Sequence, residues 1–222
     1  MPEVLNREDL MHLYRARFKG IAEYRGKMWD VLTAFFERWI PPDGAVLDLG
    51  CGYCEFINKV HCQQKFGMDL NPDSVRFAET ATIVEQDCSQ PWPLKTASLD
   101  VVFTSNFFEH LPTKGMLEST LIQAFRCLKP GGRLIAMGPN IRYLAGTYWD
   151  FFDHYLPLTE KALVEVLTKV GFEMERCHDK FMPYTAVGKR QYPMGAIRAY
   201  LALPLAWRFL GKQFLVIARR PT

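Results

Sequence analysis

The stretch VLDLGCGYCEF, Val46 to Phe56, places three kinds of chemical group side by side. Cys51 and Cys54 form a C-x-x-C, the spacing of a thiol redox pair or of half a zinc site. Gly50 and Gly52 form a Gly-x-Gly after an apolar run, which lets backbone N–H groups and a helix start approach an anionic or polar ligand. The run is equally compatible with a buried strand ending in a tight turn. A redox pair needs an exposed thiolate, and a zinc site needs a second pair of ligands. Near this loop the second pair would have to come from His61 and Cys62, whose adjacent side chains diverge. No metal constellation is visible in the spacing, and the expected metal is none.

The acids spaced along the chain narrow the choice. A dinucleotide loop of the form Gly-x-Gly-x-x-Gly is broken here by Glu55, three residues after Gly52, and a carboxylate at that point opposes a pyrophosphate. Asp69 lies 19 residues after Gly50, where an acid hydrogen-bonds ribose hydroxyls. Asp87 ends a third apolar run and is placed to accept from an adenine amino group, and Asp48 or nearby backbone can take a charged amino group. Acceptors for a ribose, an adenine and an ammonium, with no phosphate clamp, suit S-adenosylmethionine better than a nicotinamide dinucleotide.

These residues need a frame that delivers them to one edge. Residues 7–40 read as helical, with Ile21, Tyr24, Met28, Leu32, Phe35 and Trp39 as an apolar stripe, and Pro41-Pro42-Asp43-Gly44 ends the helix. Short apolar runs at 45–49, 65–70, 82–87, 99–106 and 133–140 read as buried strands. Helical stretches separate most of them. One opens at Asn71-Pro72-Asp73, with Val75, Phe77 and Ala78 apolar, and another spans 114–128 until the KPGG at 129–132 stops it. Thr159 caps a helix over 160–170 that Gly171 ends, and 172–177 and 212–220 read as the last strands. Alternation of this kind predicts an α/β, Rossmann-like sheet with helices on both faces and ligands at the carboxyl edge.

VLDLGCG, GMDLNP, EQDC, LDVVFTSNFFEHL and AFRCLKPGGRLIAMGPN follow in the order and spacing of a motif series. The chain resembles the class I S-adenosylmethionine-dependent methyltransferases over about residues 44–177 and the terminal strand. The tail AWRFLGKQFLVIARR looks like that of small-molecule enzymes from bacterial glycan, lipid or specialised-metabolite pathways. The resemblance implies a seven-stranded, mostly parallel sheet with an antiparallel last strand. It also implies a cofactor set: Asp48, Gly50, Cys51 and Gly52 at the methionine moiety, Asp69 on the ribose, Leu70 against adenine, and Asp87 with Cys88 at the adenine amino group. Asn106 and Phe107 would face the transfer site. Cys54 stands where the family usually has glycine. Tyr14, Arg17, Tyr24 and Arg25 are expected to close over the cofactor, Arg25 with Tyr14 foremost.

Methyl transfer to a hydroxyl often uses a base. The stretch YWDFFDHYLPLT, 148–159, brings Tyr148, Asp150, Asp153 and His154 together, and the expectation is His154 as base with Asp150 and Tyr148 in support. A histidine that only packs the next helix is the competing reading. His110 in FFEHLP reads as structural, with a supporting role at the site as the alternative.

The chain has 222 residues, 49% hydrophobic and 23% charged, with a net charge of +3, too small to argue for nucleic acid. One domain is expected: an N-terminal helical cap over 1–43, a cofactor-binding core over 44–180, an insertion roofing the acceptor over 181–211, and a last strand over 212–222. From Arg176 onward there are nine Lys/Arg and one acid, Asp179. In the insertion, Phe181, Tyr184, Tyr192, Tyr200 and Trp207 suggest an apolar or ring-shaped acceptor, and Lys189, Arg190 and Arg198 an anionic part. Residues 194–208 are also read as a peripheral membrane contact. The N-terminus carries acids and no apolar run, so no signal peptide is expected and the location is read as cytoplasmic. The six cysteines are expected to be reduced, with Cys127 and Cys177 in the core. The functional expectation is methylation of a hydroxyl on a glycosyl, lipid-linked or specialised-metabolite acceptor. N-methylation of an amino-sugar or small amine is one alternative, and a non-catalytic cofactor-binding module at a membrane surface is another.

Overall fold

A computed structural model describes residues 7–184 and 191–222. Its sheet contains seven strands: β1 (Ala45–Leu49), β2 (Gln64–Asp69), β3 (Thr82–Glu85), β4 (Leu99–Ser105), β5 (Leu128–Pro139), β6 (Glu173–His178) and β7 (Gln213–Arg219). They lie in the order β3-β2-β1-β4-β5-β7-β6, and β7 is antiparallel to both of its neighbours. The chain runs outward from β1 to β3 and then returns to β4, so the connections leaving β1 and β4 diverge. That reversal opens a crevice at the carboxyl edge of the two strands.

Strand alternation sorts side chains to two cores. Leu47, Leu49 and Val102 face one side with Leu121 of α5 (Lys114–Cys127) and Leu163 of α7 (Glu160–Val170). Val46, Val101 and Phe103 face the other, against Leu32 and Phe36 of α2 (Ala22–Phe36) and Phe56 of α3 (Glu55–Lys59). There the Phe56 and Phe103 rings stack at 3.7 Å and Trp29 meets both edge-on. Truncating a fully buried ring such as Phe103 to alanine costs about 3–5 kcal/mol.

The N-terminal helix is two helices. α1 (Arg7–Phe18) breaks from α2 at Gly20, whose φ of +80° no helix accommodates. The buried face of α2 carries Trp29, Leu32, Phe35 and Phe36, with Tyr24 and Met28 of the expected stripe partly buried against the same core, and α2 also packs on α3 and on α8 (Met194–Ala202). The helix α4 (Asp73–Phe77) forms after Pro72, and its apolar Val75 and Phe77 are exposed. Helix α7 has its expected limits, with the Thr159 side chain accepting from Ala162 N–H and Gly171 ending the helix at φ +113°. The LKPGG segment joins strand β5 itself: Gly131 adopts φ +79°, and at Gly132 a Cβ would stand 2.9 Å from the Lys129 carbonyl. Between β5 and α7 lie α6 (Ile141–Leu144) and a short 3-10 turn, Thr147–Asp150. The final helices α8 and α9 (Pro204–Leu210) precede β7.

Candidate active site

The loop after β1 turns through left-handed backbone at Gly50 (φ +74°), Gly52 (φ +49°) and Cys54 (φ +60°), and Asn106 after β4 does the same (φ +50°). Close packing demands glycine at position 50, where a Cβ would stand 2.3 Å from the Phe107 ring. The Gly-x-Gly is expected to turn backbone N–H groups toward a ligand, but the first three of this loop bond to the end of β2 instead. Gly50 N and Cys51 N donate to the Met68 carbonyl at 2.8 and 3.3 Å, and Gly52 N donates to Asp69 Oδ2 at 2.7 Å. The loop is thereby tied to the end of β2, and it holds the Asp69 carboxylate in place. Asn71 N fixes the other oxygen at 2.8 Å.

Two cavities open on either side of this loop. One, of about 280 Å³, is lined by Tyr14, Asp69, Leu70, Asp87, Cys88 and Phe107, among others. The other, of about 110 Å³, is lined by Asp48, Gly50, Cys51, Gly52, Glu55 and Asn106, and on its far side by Glu109, His110, His154 and Tyr184. The sequence-predicted cofactor residues thus separate into an outer set suited to an adenosine and an inner set suited to its charged tail. Asp87 Oδ1 accepts from Ser89 N and Oγ, both at 2.8 Å, which anchors that carboxylate at the outer rim.

The electrostatics of the inner cavity favour a cation. Burial, with the charges of Asp69 and Glu55 added, raises Asp48 well above the usual carboxylate range. Burial also raises Asp69, against its hydrogen bonds from Asn71 and Gly52. Asn106 Oδ1 is a buried acceptor with no partner. Carboxylates crowded in low dielectric are relieved by an incoming positive charge and not by a phosphate. The donor and acceptor set therefore fits an adenosine bearing a sulfonium and an ammonium. Burial and the nearby Asp69 charge also hold the Tyr14 hydroxyl in its neutral form.

Arg25 lines the inner cavity, but its guanidinium is engaged. Nε and Nη2 bind Glu55 Oε1 and Oε2 at 2.7 and 2.9 Å. Arg17 likewise pairs with Asp153 at 2.5 Å.

The acceptor side corrects the expected triad. His154 is buried beside the cavity, with Nδ1 2.9 Å from the Tyr148 carbonyl. Nδ1 therefore carries the proton, and Nε2 holds the lone pair. Burial, with the charge of His110 added, lowers its pKa to about 4, so the ring is neutral at pH 7. The carbonyl of Tyr148, not Asp150, orients His154: Asp150 is exposed and does not line the cavity. The Tyr148 hydroxyl is buried, without a hydrogen-bond partner, and does not line the cavity either. The carboxylate that does meet a histidine is Asp153, whose Oδ2 and carbonyl lie 3.2 and 2.8 Å from His110 Nδ1. Burial opposes charge on His110, but the Asp153 hydrogen bond and the Glu109 charge outweigh it and raise its pKa. Against its own burial, Asp153 is held well below the usual range by His110 and Arg17.

Sequence spacing did not reveal that Glu109, His110 and His154 converge. One candidate ligand atom from each lies within 4.8 Å of the others, the group with metal-ligand proximity found among the described residues. His154 lies 44 positions from His110, and only the fold brings the two rings to 5.0 Å.

The C-x-x-C is structural. Cys51 and Cys54 are buried free thiols, and the hydrogen bond to Cys54 and burial push the Cys51 thiol far above its ordinary value. His61 turns away to pair with Glu37 at 2.5 Å. Cys127 is buried as expected, but Cys177 is exposed because its edge strand β6 leaves that face uncovered. In the 181–211 segment, Met182, Pro183 and Tyr184 reach the inner cavity. Phe181 and Trp207 pack instead on Phe35 of α2, and the Tyr200 hydroxyl donates to the Phe181 carbonyl. Tyr192 and Arg198 are exposed and do not line the cavity, and Lys189 and Arg190 lie outside the described residues.

Residues 47–136 match the family model described as "Methyltransferase domain". No curated protein matches the chain significantly. Among solved structures, a chain of the complex between the Trm112 methyltransferase activator and a methyltransferase of Haloferax volcanii superposes with a TM-score of 0.70 at 16% identity, covering 98% of each chain. A SAM-dependent methyltransferase of Archaeoglobus fulgidus does so at 0.65 and 22% identity, over 95% of this chain and 100% of that one. The N-methyltransferase NodS of Bradyrhizobium japonicum, in complex with S-adenosyl-L-homocysteine, does so at 0.66 and 13% identity, over 97% and 98%.

Proposed function

Because the chain carries a class I S-adenosylmethionine-dependent methyltransferase domain, we propose that it methylates a hydroxyl of a small glycosyl, lipid-linked or specialised-metabolite acceptor. The cofactor supplies an electrophilic methyl carbon on a sulfonium. Asp69, Leu70, Asp87 and Cys88 would hold its adenosine, and Asp48, Gly50, Cys51, Gly52 and Asn106 its amino-acid end. Tyr14 closes the site from α1 between the two cavities. The crowded carboxylates of Asp48 and Asp69 favour a cationic ligand, and the buried surroundings keep that preference strong.

The observation that carries the acceptor reading is the tautomer of His154. With Nδ1–H fixed on the Tyr148 carbonyl, Nε2 offers a lone pair to the inner cavity. A weakly basic ring does not strip a proton from a free alcohol. It takes the proton as the oxygen becomes acidic, while the oxygen–carbon bond forms. Tyr184, Met182 and Pro183 border the cavity and supply an apolar wall with one hydroxyl. The test is production of S-adenosylhomocysteine against a panel of hydroxyl and amine acceptors. Turnover confined to amines would replace this reading with N-methylation.

A second reading concerns location. Leu203, Leu205, Phe209 and Leu210 are exposed around α9, beside Arg208. No helix among the described residues is long and apolar enough to cross a membrane. An exposed apolar turn with basic neighbours suits a peripheral contact with an anionic bilayer, which would bring the enzyme to a lipid-linked acceptor.

A further inference from the structure

We propose that Glu109, His110 and His154 form a binding site for a divalent transition-metal ion, zinc foremost, whose open position receives the acceptor oxygen. The inference rests on reading the inner cavity as the acceptor pocket, and with the ion bound it replaces the base role given above to His154 with a ligand role.

Three observations carry it. The first is the ligand set: two imidazoles and a carboxylate, with one candidate ligand atom from each within 4.8 Å of the others. Tetrahedral zinc ligands stand about 3.4 Å apart when bonded at roughly 2.0–2.1 Å, so side-chain shifts of about 1 Å close the site. Two histidines with one carboxylate and an open fourth position is a donor set of catalytic zinc.

The second observation is how the imidazoles are held. His154 Nδ1 is fixed by the Tyr148 carbonyl at 2.9 Å, and His110 Nδ1 by the Asp153 carbonyl and carboxylate at 2.8 and 3.2 Å. Both rings therefore donate through Nδ1 and leave Nε2 free to coordinate. Ligating histidines are oriented in this way, by a carbonyl or carboxylate on the second nitrogen. Arg17 anchors Asp153 from behind at 2.5 Å.

The third observation is Glu109. It is 3% exposed and lines the cavity, yet no other side chain among the described residues hydrogen-bonds to its carboxylate. Its own backbone N–H hydrogen-bonds to it, which leaves acceptor capacity and a desolvation cost that a bound cation offsets. The cavity gives a ligand access to all three groups, so a fourth position faces open space and not protein. A hydroxyl oxygen bound there is held and acidified by the cation, and its proton passes to water. His154 Nε2 then serves as a metal ligand and not as the base.

The test uses the full-length protein, stripped with chelator and titrated with cobalt(II) as a spectroscopic stand-in for zinc. The expected result is one equivalent bound, with the visible absorption of a four- or five-coordinate nitrogen–oxygen site. Zinc should displace it, and Glu109→Gln and His154→Gln should each weaken it at least tenfold while still binding S-adenosylhomocysteine. A stripped enzyme regaining turnover with zinc would add support. Absence of a stoichiometric cobalt band in the wild-type protein overturns the site whether or not the variants fold. Sulfur-to-cobalt charge-transfer bands overturn it by placing the ion on cysteine thiolates. If no band forms and hydroxyl methylation proceeds unchanged in chelator, the metal site falls and His154 stands as the base. If cobalt binds as expected and no hydroxyl is methylated, the site stands and the acceptor reading falls.

Discussion

The Arg25 guanidinium grips Glu55 through two parallel hydrogen bonds, of 2.7 and 2.9 Å, and lies 3.9 Å over the Phe18 ring. The pair joins α2 to the start of α3 at the mouth of the inner cavity, so Glu55 competes with the carboxylate of a bound cofactor for the same cation. Glu55→Gln should tighten S-adenosylhomocysteine binding up to about fivefold, the worth of a partly exposed ion pair. Arg25→Ala should weaken it. Calorimetric titration that finds both variants at wild-type affinity would assign Arg25 to structure alone.

Gly50 and Cys54 both adopt left-handed backbone, and their substitutions should have opposite consequences. Gly50→Ala adds roughly 1–2 kcal/mol of backbone strain and drives a Cβ into the Phe107 ring. It should lower stability and reduce S-adenosylhomocysteine affinity at least tenfold. Cys54→Gly relieves its φ of +60° but removes a buried thiol whose Sγ lies 3.4 Å from the Ser74 carbonyl. Chemical denaturation should find it within about 1 kcal/mol of wild type, with binding intact or tighter. A large loss of binding in Cys54→Gly would mean that the loop is read wrongly.

Asp48 makes stability depend on pH. Burial raises its pKa in the folded protein, so the native state binds the proton more tightly than the unfolded chain does. Stability is therefore lost as pH rises from the ordinary carboxylate value, about 3.9, through the raised folded value. Asp48→Asn carries no ionisation and should melt higher than wild type at pH 8, with the difference vanishing below about pH 4. The same variant should bind S-adenosylhomocysteine more weakly, because an anion facing the ammonium is gone. Melting curves at the two pH values that run in parallel would show that Asp48 is not destabilising when charged.

His154→Gln should cut turnover of a hydroxyl acceptor by about 10²–10⁴-fold while S-adenosylhomocysteine affinity stays at the wild-type value. Asp150→Asn, at an exposed position away from the cavity, should stay within about twofold. Steady-state kinetics with saturating acceptor separates the two. Near-normal turnover in His154→Gln would remove His154 from the reaction.

The α9 surface should bind anionic vesicles. Co-sedimentation with phosphatidylserine-containing liposomes should be lost in Leu205→Glu/Phe209→Glu, two exposed side chains, and should weaken in high salt. Binding that survives the double substitution would detach this face from the membrane.

Much of the frame was legible before any coordinate. Ala45–Leu49 and Glu160–Val170 match their sequence limits because an apolar run before glycines and a Thr159-to-Gly171 helix are local signals. Asp69 and Asp87 line one cavity because each follows a parallel strand, and strand ends meet at one edge. The break at Gly20, the exposure of Val75 and Phe77, and the inward turn of Phe181 were not legible. Each depends on which neighbour an element meets, not on its own periodicity.

The order of strands, helices and acids along the chain determined by itself the sheet, its carboxyl edge and the family resemblance, because each of those signals spans only a few residues. Tertiary structure alone decided what His154 touches. In sequence its neighbours are Asp150 and Asp153. In space it rests on the Tyr148 carbonyl, faces the His110 ring and shares a cavity with Glu109. The 3-10 turn at Thr147–Asp150 carries Asp150 outward, while Asp153 is captured by His110 and Arg17 from β4's loop and from α1. Partners contributed by distant segments are selected by packing and charge across the fold, which no local spacing encodes.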